Sequence, residues 1–387
     1  MIHGAYRFPR QDTVIYGRPA HEAVIELANR YNASRLFVMT TRSLGGPSGL
    51  AAKLVSNLGP LCVGSFDAIA SHSPRSDVIA GAAAAREAKA DLLIALGGGS
   101  VIDATKLIQL CLWADFTDAA QLSPYRMGRG EDRKDASLIP SGVRIIAIPT
   151  TLSAAEFTPF AGVTDGEKRV KESFTHPDFA PRAVILDPAM TLGTPQRLWS
   201  STGMKAVDHA VEQLCNLDRV PMGDAVAAEG LRLLAKGLTA SQEDPADLEA
   251  RANCQHGMWL AISGAATGRG MGASHAIGHT LGGSYAVPHG ITSCITLHAT
   301  LSWNRDYSID RQTLVSRLMG KRALPAADVV RDLVKNLALP WRLSELLIGA
   351  SHFRAIAEHT MHDRSIRTNP RPIRNADDIV EILELCA

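Results

Sequence analysis

The chain carries no surplus of charge of either sign. Forty Lys and Arg stand against 39 Asp and Glu over 387 residues, a formal net charge of +1. That balance speaks against a nucleic-acid partner, which calls for a marked basic excess. With 46% hydrophobic residues it also speaks against disorder. No stretch reaches the roughly 18 uninterrupted apolar residues of a membrane helix. The opening MIHGAYRFPRQDTVIYG has neither the basic start nor the apolar run of a secretion signal. Cysteine is sparse: Cys62, Cys111, Cys215, Cys254, Cys294 and Cys386 lie singly, with no CxxC pair. Each reads as a small buried hydrophobe rather than part of a disulfide framework, so a reducing cytoplasm is the expected setting. Internal repeats and low-complexity tracts are missing too. Thirteen histidines are the one count that asks for an explanation.

In the first half, short apolar runs alternate with helix-like stretches. RLFVMT (35–40), PLCVGS (60–65), DLLIAL (91–96), VRIIAI (143–148) and AVILD (183–187) read as strands, with helices over 76–90 and 101–113. Such alternation predicts a parallel, doubly wound α/β sheet. Beyond about residue 191 long helical patterns dominate: 196–217, 223–240, 245–258 and 272–281, with more after 310. The expected organisation is therefore an α/β domain over 1–190 and an all-α domain over 191–387. The charged stretch 126–134 reads as a solvated loop, with anion binding by its arginines as the alternative.

Two polar clusters follow strands directly. Gly97-Gly98-Gly99-Ser100 joins a strand to a helix, where glycines let backbone N–H groups approach phosphate oxygens and the helix N-terminus favours anions. It is neither GxGxxG nor a P-loop, and a plain tight turn would use the same residues. Asp103 and Lys106 recur on one face of the following helix, placed to meet a ligand or to pair on the surface. Thr150 and Thr151, in IPTT, put two hydroxyls at a strand's carboxyl end, where open α/β sheets bind ligands; a Ser/Thr turn is the competing account.

The histidines cluster in the second half. His275 and His279, four apart in GASHAIGHTLGG, share one helix face, and His289 follows in a Val-Pro-His-Gly turn after the helix ends at Gly282-Gly283. His209 lies on an earlier helix with Lys205 one turn before it. Imidazoles at this density could ligate Zn or Fe and polarise a carbonyl. They could equally relay protons to one.

The ordered set GGGSVIDATK, IPTT, TGMKAVDHAVE and HAIGHTLGGSYAVPHG resembles the iron-containing (group III) alcohol dehydrogenase family, which includes maleylacetate reductases. Weaker echoes in VIYG and TNPRPI extend the likeness over nearly the whole chain. The resemblance implies a dinucleotide-binding α/β domain, a helical domain and an active site in the cleft between them. It implies that Gly97, Gly98, Gly99 and Ser100 hold the pyrophosphate with Asp103 close by, and that Thr150, Thr151 and Lys171 contact the cofactor. His279 would stand near nicotinamide and substrate. In metal-dependent members one Asp and three His ligate the metal, matching positions 205, 209, 275 and 289.

Here the sequence departs, because position 205 is lysine. A protonated ammonium cannot ligate a cation and repels it. Asp208 is offset along the helix and is not expected to substitute. His209, His275 and His289 would then be metal ligands only if a metal binds with water completing the set. The alternative is that Lys205 occupies the metal's place and donates charge-assisted hydrogen bonds to a substrate oxygen. That moves the likeness toward the maleylacetate reductase branch, although the PHG turn and TGM segment look more like alcohol dehydrogenases. Relatives preferring NAD often carry an acidic residue where Thr41 stands; Thr41 and Arg42 leave no carboxylate to repel a 2′-phosphate, so both NADH and NADPH are expected.

The expected activity is NAD(P)H-dependent reduction of the carbonyl of a small oxo-acid or aldehyde (or of a C=C bond of maleylacetate type), with Lys205, His209, His275, His279 and His289 as the catalytic group. An Fe- or Zn-dependent alcohol dehydrogenase is the alternative, and a non-catalytic nucleotide-binding protein a remote one. A homodimer is the family expectation.

Overall fold

The computed structural model describes residues 8–128, 132–166, 170–217, 220–265 and 271–387. They form two compact units, one over Phe8–Gly193 and one over Thr194–Ala387.

In the first unit the chain runs β1 (Thr13–Tyr16), α1 (Ala20–Arg30), β2 (Leu36–Met39), α2 (Leu50–Leu58), β3 (Cys62–Phe66), α3 (Arg75–Glu87), β4 (Leu92–Gly97), α4 (Gly99–Trp113), β5 (Arg144–Pro149), β6 (Phe160–Asp165), β7 (Val170–Thr175) and β8 (Ala183–Leu186). Six strands make one sheet in the order β1-β8-β5-β4-β2-β3, and every pair is parallel. Strands β2, β4 and β8 are buried on both faces, and such strands must be apolar at every position. That is why LFVM, LLIALG and AVIL stand out in the sequence. On one face Val24, Leu27 and Leu54 of α1 and α2 pack on Val38, Ile94 and Ile146. On the other, Val78, Ala82, Ile102 and Ile108 of α3 and α4 pack on Met39, Leu93 and Ile145. Helices on both faces make the sheet doubly wound. After β2 the chain goes outward to β3, whereas after β4 it goes the other way to β5. The carboxyl ends of β2 and β4 therefore flank the switch point, where such sheets bind ligands.

Strand–helix alternation did not foretell one element. β6 and β7 pair antiparallel outside the main sheet, with Gly162 opposite Ser173 and Thr164 opposite Lys171. Of the charged stretch 126–134, residues 129–131 lie outside the described residues; Arg126 approaches Glu172 of β7 at 3.8 Å.

The second unit holds α5 (Gln196–Cys215), α6 (Pro221–Glu243), α7 (Leu248–Ala265), α8 (Ala273–Tyr285), α9 (His289–Trp303), α10 (Arg305–Leu318), α11 (Ala326–Asn336), α12 (Ala350–Thr360) and α13 (Ala376–Glu384), with no strand among its described residues. From Trp199 to Cys215 every residue of α5 except Thr202 is buried, so α5 is the core helix of the unit and whatever polar groups it carries must find partners inside. The α6–α7 pair packs with backbones nearly touching: a Cβ on Gly230 would lie 2.8 Å from the Gly257 carbonyl oxygen.

Two local expectations are corrected. α8 does not stop at Gly282-Gly283 but continues to Tyr285, because a helix tolerates glycine at a cost of about 1 kcal/mol. It ends at Ala286, whose φ of 53° is left-handed, with Pro288 just beyond, which cannot continue an α-helix. His289 is likewise not in a turn: Pro288 precedes the first residue of α9, and that residue is His289.

Candidate active site

In the first unit, the glycine loop occupies the carboxyl end of β4. Gly97 has φ +155°, and a Cβ there would come within 2.7 Å of Val101. A Cβ on Gly98 would lie 3.0 Å from Thr151, and one on Gly99 3.0 Å from the Ser153 hydroxyl. Gly97 is thus held to glycine by conformation and close approach together, while at Gly98 and Gly99 a Cβ would have to push the Thr151 and Ser153 side chains aside. Gly98 gives α4 no side-chain cap; the Val101 and Ile102 N–H groups donate to the Gly98 carbonyl at 3.0 and 3.1 Å, which leaves those of Gly99 and Ser100 to face an anion. The loop is tied to β5 by the Thr150 N–H, which donates to the Gly97 carbonyl at 3.0 Å. The Thr151 and Ser153 hydroxyls beside it are buried with no hydrogen-bond partner among the described residues. Ser100 fastens a neighbouring loop, its Oγ accepting from the His72 N–H at 3.1 Å and its carbonyl from the Ser73 hydroxyl at 2.7 Å. Thr41 follows β2 across the switch point, half-exposed, with Arg42 exposed.

Asp103 and Lys106 do not form a surface pair. Lys106 is fully buried and donates to the carbonyls of Ala155, Thr158 and Phe160 at 2.6, 3.0 and 2.6 Å. Burial pulls its ammonium down to about 8, against the opposing pull of Asp103 and Glu156. Asp103 accepts from the Gly162 N–H at 3.0 Å, and burial raises its carboxyl, opposed by Lys106, the Gly162 N–H and Lys171. Lys171 lies across the bare Gly162 backbone: a Cβ there would meet the Lys171 side chain at 2.6 Å and displace it, and would lie 3.6 Å from an Asp103 oxygen. The two residues therefore dock the β6–β7 hairpin on α4 and bring Lys171 beside Asp103. Behind them Glu156 is buried, and burial pushes its carboxyl up to about 7.

In the second unit, Lys205, Asp208, His209 and Glu212 form one stripe on α5, spaced three and four apart as helix neighbours are. The stripe meets His275 and His279 on α8. The His209 and His275 rings stack with centroids 5.1 Å apart, His279 meets His275 edge-on at 6.2 Å, and His279 stacks on His289 at 5.6 Å. All four histidines are thus contiguous, through three different helices.

Carboxylates that the sequence did not single out organise this group. Glu212 accepts from the Gly272 and Ser274 N–H groups at 2.7 and 2.8 Å, so a side chain of α5 caps the otherwise uncapped start of α8. Its Oε2 also takes the His275 Nδ1 at 2.7 Å. Asp208, offset from His209 as the sequence suggested, is still part of the cluster: it accepts from the Ser274 and Ser293 hydroxyls at 3.0 and 2.6 Å and lies 3.4 Å from His275 Nδ1. Asn369, in the TNPRPI segment, accepts from the Ala273 N–H at 3.3 Å. The remaining carboxylate is Asp363, 2.7 Å from His279 Nδ1.

Burial sets the charge states. It drives His209 well below the ordinary histidine range and His275 down to about 3, helped in both by the Lys205 charge. Burial raises Asp208 and lifts Glu212 to about 7, while Lys205 pulls both back. Lys205, only 5% exposed, thus acts electrostatically on all four neighbours. The Glu212 signal was present in the sequence, one turn beyond His209 in HAVE. Asp363 had none, being 84 residues from its partner.

Comparison with known proteins supplies the class. Residues 11–188 match the iron-containing alcohol dehydrogenase family and residues 200–386 the family's C-terminal region. Dehydrogenase FUM7 of Gibberella moniliformis is 32% identical, covering 97% of this chain and 96% of its own. A maleylacetate reductase of Rhizobium sp. is 32% identical over 89% of this chain and 88% of its own. The crystal structure of maleylacetate reductase from Agrobacterium tumefaciens superposes with a TM-score of 0.83 at 28% identity, covering 100% of this chain and 98% of that one. Fold and relatives define an NAD(P)-dependent oxidoreductase acting on CH–OH or C=O groups. The chain belongs to the iron-containing alcohol dehydrogenase family.

Proposed function

We propose that this chain is a metal-independent reductase that uses NADH or NADPH to reduce the carbonyl of a small oxo-acid or aldehyde, or the C=C bond of a maleylacetate-type oxo-acid, a reading to which the maleylacetate reductase relatives lend support. The observation that carries this reading is Lys205, buried in the histidine cluster at the position where the resemblance implies an aspartate ligand.

The donor set does not suit a divalent cation. The ammonium of Lys205 repels one, and the three histidines beside it are neutral ligands that offer no compensating charge. Asp208, Glu212 and His275 do bring donor atoms within 4.8 Å of one another. Glu212 is committed to His275 Nδ1 and the start of α8, and Asp208 Oδ2 to the two serine hydroxyls. Asp208 Oδ1 and His275 Nε2 have no hydrogen-bond partner among the described residues, but any cation they held would sit within reach of the Lys205 charge that acts on both.

In this reading the backbone of Gly97–Ser100 holds the pyrophosphate at the start of α4, with Thr150, Thr151 and Lys171 as further cofactor contacts. Asp103 acts beside them by fixing the hairpin that carries Lys171. Thr41 and Arg42 admit a 2′-phosphate. The bound nicotinamide supplies the hydride. Lys205 binds the substrate oxygen and stabilises the negative charge that grows on it, the task a metal performs in other members. His209, His275 and His289 complete that pocket, and the first two, held neutral, leave the positive charge to Lys205. His279, on the exposed side of the group, delivers the proton. A homodimer in the cytoplasm, with small molecules as its ligands, belongs to the same proposal.

The test is steady-state oxidation of NADH and NADPH with a panel of oxo-acids, maleylacetate included, and aldehydes, before and after exhaustive chelation. Turnover unchanged by chelation, with kcat/KM for the two cofactors within about a hundredfold (about 2.7 kcal/mol), supports the proposal. Activity lost on chelation and restored by Fe or Zn overturns it.

A further inference from the structure

We infer that Asp363 is a positioning residue for the reduction: it fixes the tautomer and orientation of His279, so that Nε2 is the nitrogen that hands the proton to the substrate oxygen. This rests on the role proposed above for His279.

The geometry is specific. Asp363 follows α12, and its two carboxylate oxygens have separate tasks. Oδ1 accepts the Ser365 N–H at 2.8 Å, capping the short turn 364–368, and Oδ2 takes His279 Nδ1 at 2.7 Å. With one oxygen anchored to backbone, the other has a fixed position. The segments that carry the pair are bolted together one rung further along. Thr360 donates to the Thr280 hydroxyl at 3.0 Å in a buried contact, and Ser284 meets His359 Nδ1 at 3.1 Å. The ring has little freedom to turn, because it also stacks on His289 with only 5° between planes.

The chemistry follows from which nitrogen is tied down. A carboxylate accepts only, so Nδ1 carries a proton whether the ring is neutral or charged. Asp363 is held in the ionised form: burial alone would raise its carboxyl, but the hydrogen bonds from His279 and Ser365 bring it below the usual carboxylate range. In the reduction the carbonyl carbon gains the hydride pair and the dihydronicotinamide is oxidised. The oxygen takes the Nε2 proton, which leaves a neutral imidazole with Nδ1–H still on Asp363. With 48% of its side chain exposed, His279 regains that proton from water. Holding the imidazole in one tautomer and stabilising the imidazolium is the task a buried aspartate performs for the histidine of serine proteases.

The experiment compares wild type with Asp363→Asn, Asp363→Glu, His279→Gln and the His279→Gln/Asp363→Asn double variant, on the carbonyl compound turned over fastest in the panel. Asp363→Asn is expected to lower kcat by about a hundredfold or more, the usual scale of general acid–base catalysis, with KM for NADH moving less than threefold (about 0.65 kcal/mol). Asp363→Glu should recover part of the loss. In the His279→Gln background Asp363→Asn should add nothing. Selective ¹⁵N-histidine NMR, assigned by difference with His279→Gln, needs no substrate: it should show Nδ1–H for His279 in wild type and a tautomer mixture in Asp363→Asn. An Asp363→Asn enzyme with wild-type kcat, or a neutral His279 that carries its proton on Nε2 rather than Nδ1 in wild type, overturns the inference. If His279→Gln itself leaves kcat intact, the assignment of His279 fails instead.

Discussion

His275 and His279 lie one helical turn apart on α8, and each places Nδ1 2.7 Å from a carboxylate oxygen. On paper they are the same device, yet their surroundings separate them. The His275–Glu212 pair is buried, with side chains 4% and 5% exposed, whereas His279–Asp363 is 48% and 22% exposed. Burial penalises charge on both members of the inner pair, taking His275 down to about 3 and Glu212 up to about 7. It also gives Glu212 a structural task, since two N–H groups at the start of α8 depend on it. The outer carboxylate stays ionised, and its histidine is open to water. One distance therefore describes a buried structural pin in one place and, in the other, a water-exposed pair to which the proposal gives the proton; burial sets the difference.

Removing the two carboxylates should break the likeness in opposite directions. Glu212→Ala leaves Gly272 N–H, Ser274 N–H and His275 Nδ1 without their acceptor. At about 1–3 kcal/mol for each buried orphan, even partial relaxation leaves a loss of about 3 kcal/mol. For a unit of this size that lowers Tm by about 6–12 °C. Asp363→Ala, at a half-exposed site, should cost under about 1 kcal/mol of stability while carrying the kcat loss. Calorimetry and kinetics on the same two variants check the crossing, and equal Tm shifts would erase the distinction.

A smaller effect sharpens it. Folded Glu212 keeps its proton to higher pH than an unfolded glutamate. Its contribution to stability is therefore present below about pH 4.5 and lost as pH rises through about 7. His275, depressed, contributes in the opposite sense: its share is present above about pH 6.5 and lost as pH falls toward about 3. Glu212→Gln removes the first dependence and keeps the second. The Tm deficit of this variant relative to wild type should be largest near pH 4.5 and shrink toward pH 7.5. Parallel Tm profiles would show that Glu212 titrates normally in the folded protein.

The two units also differed in how much their sequences disclosed. LFVM, LLIALG and AVIL announced the sheet because strands covered on both faces have no polar alternation to disguise them. The glycine loop was visible because the backbone conformation and Val101 hold position 97 to glycine, and tight approach to Thr151 and Ser153 favours it at 98 and 99. The hairpin of β6 and β7 was not legible: its residues alternate, but nothing local says that they dock on Asp103 and Lys106. For Asp103 and Lys106 the sequence left a ligand contact and a surface pair both open, because helix spacing does not report what lies against the helix. In the helical unit the histidine spacing pointed to chemistry. The carboxylates that define each ring's state came from elsewhere, one from the stripe on α5 and one from the segment after α12. Gly282-Gly283 looked like a helix end because glycine is a common stop, whereas the stop is set by Ala286 and Pro288.

Metal content tests the central claim most directly. Wild type and Lys205→Asp, expressed side by side with Fe and Zn supplied, would be desalted and measured for bound metal per chain. The account predicts substoichiometric metal in active wild type, and about one metal ion per chain in Lys205→Asp, where an aspartate joins His209, His275 and His289. One tightly bound Fe or Zn per chain in active wild type, removable only with loss of turnover, would contradict it.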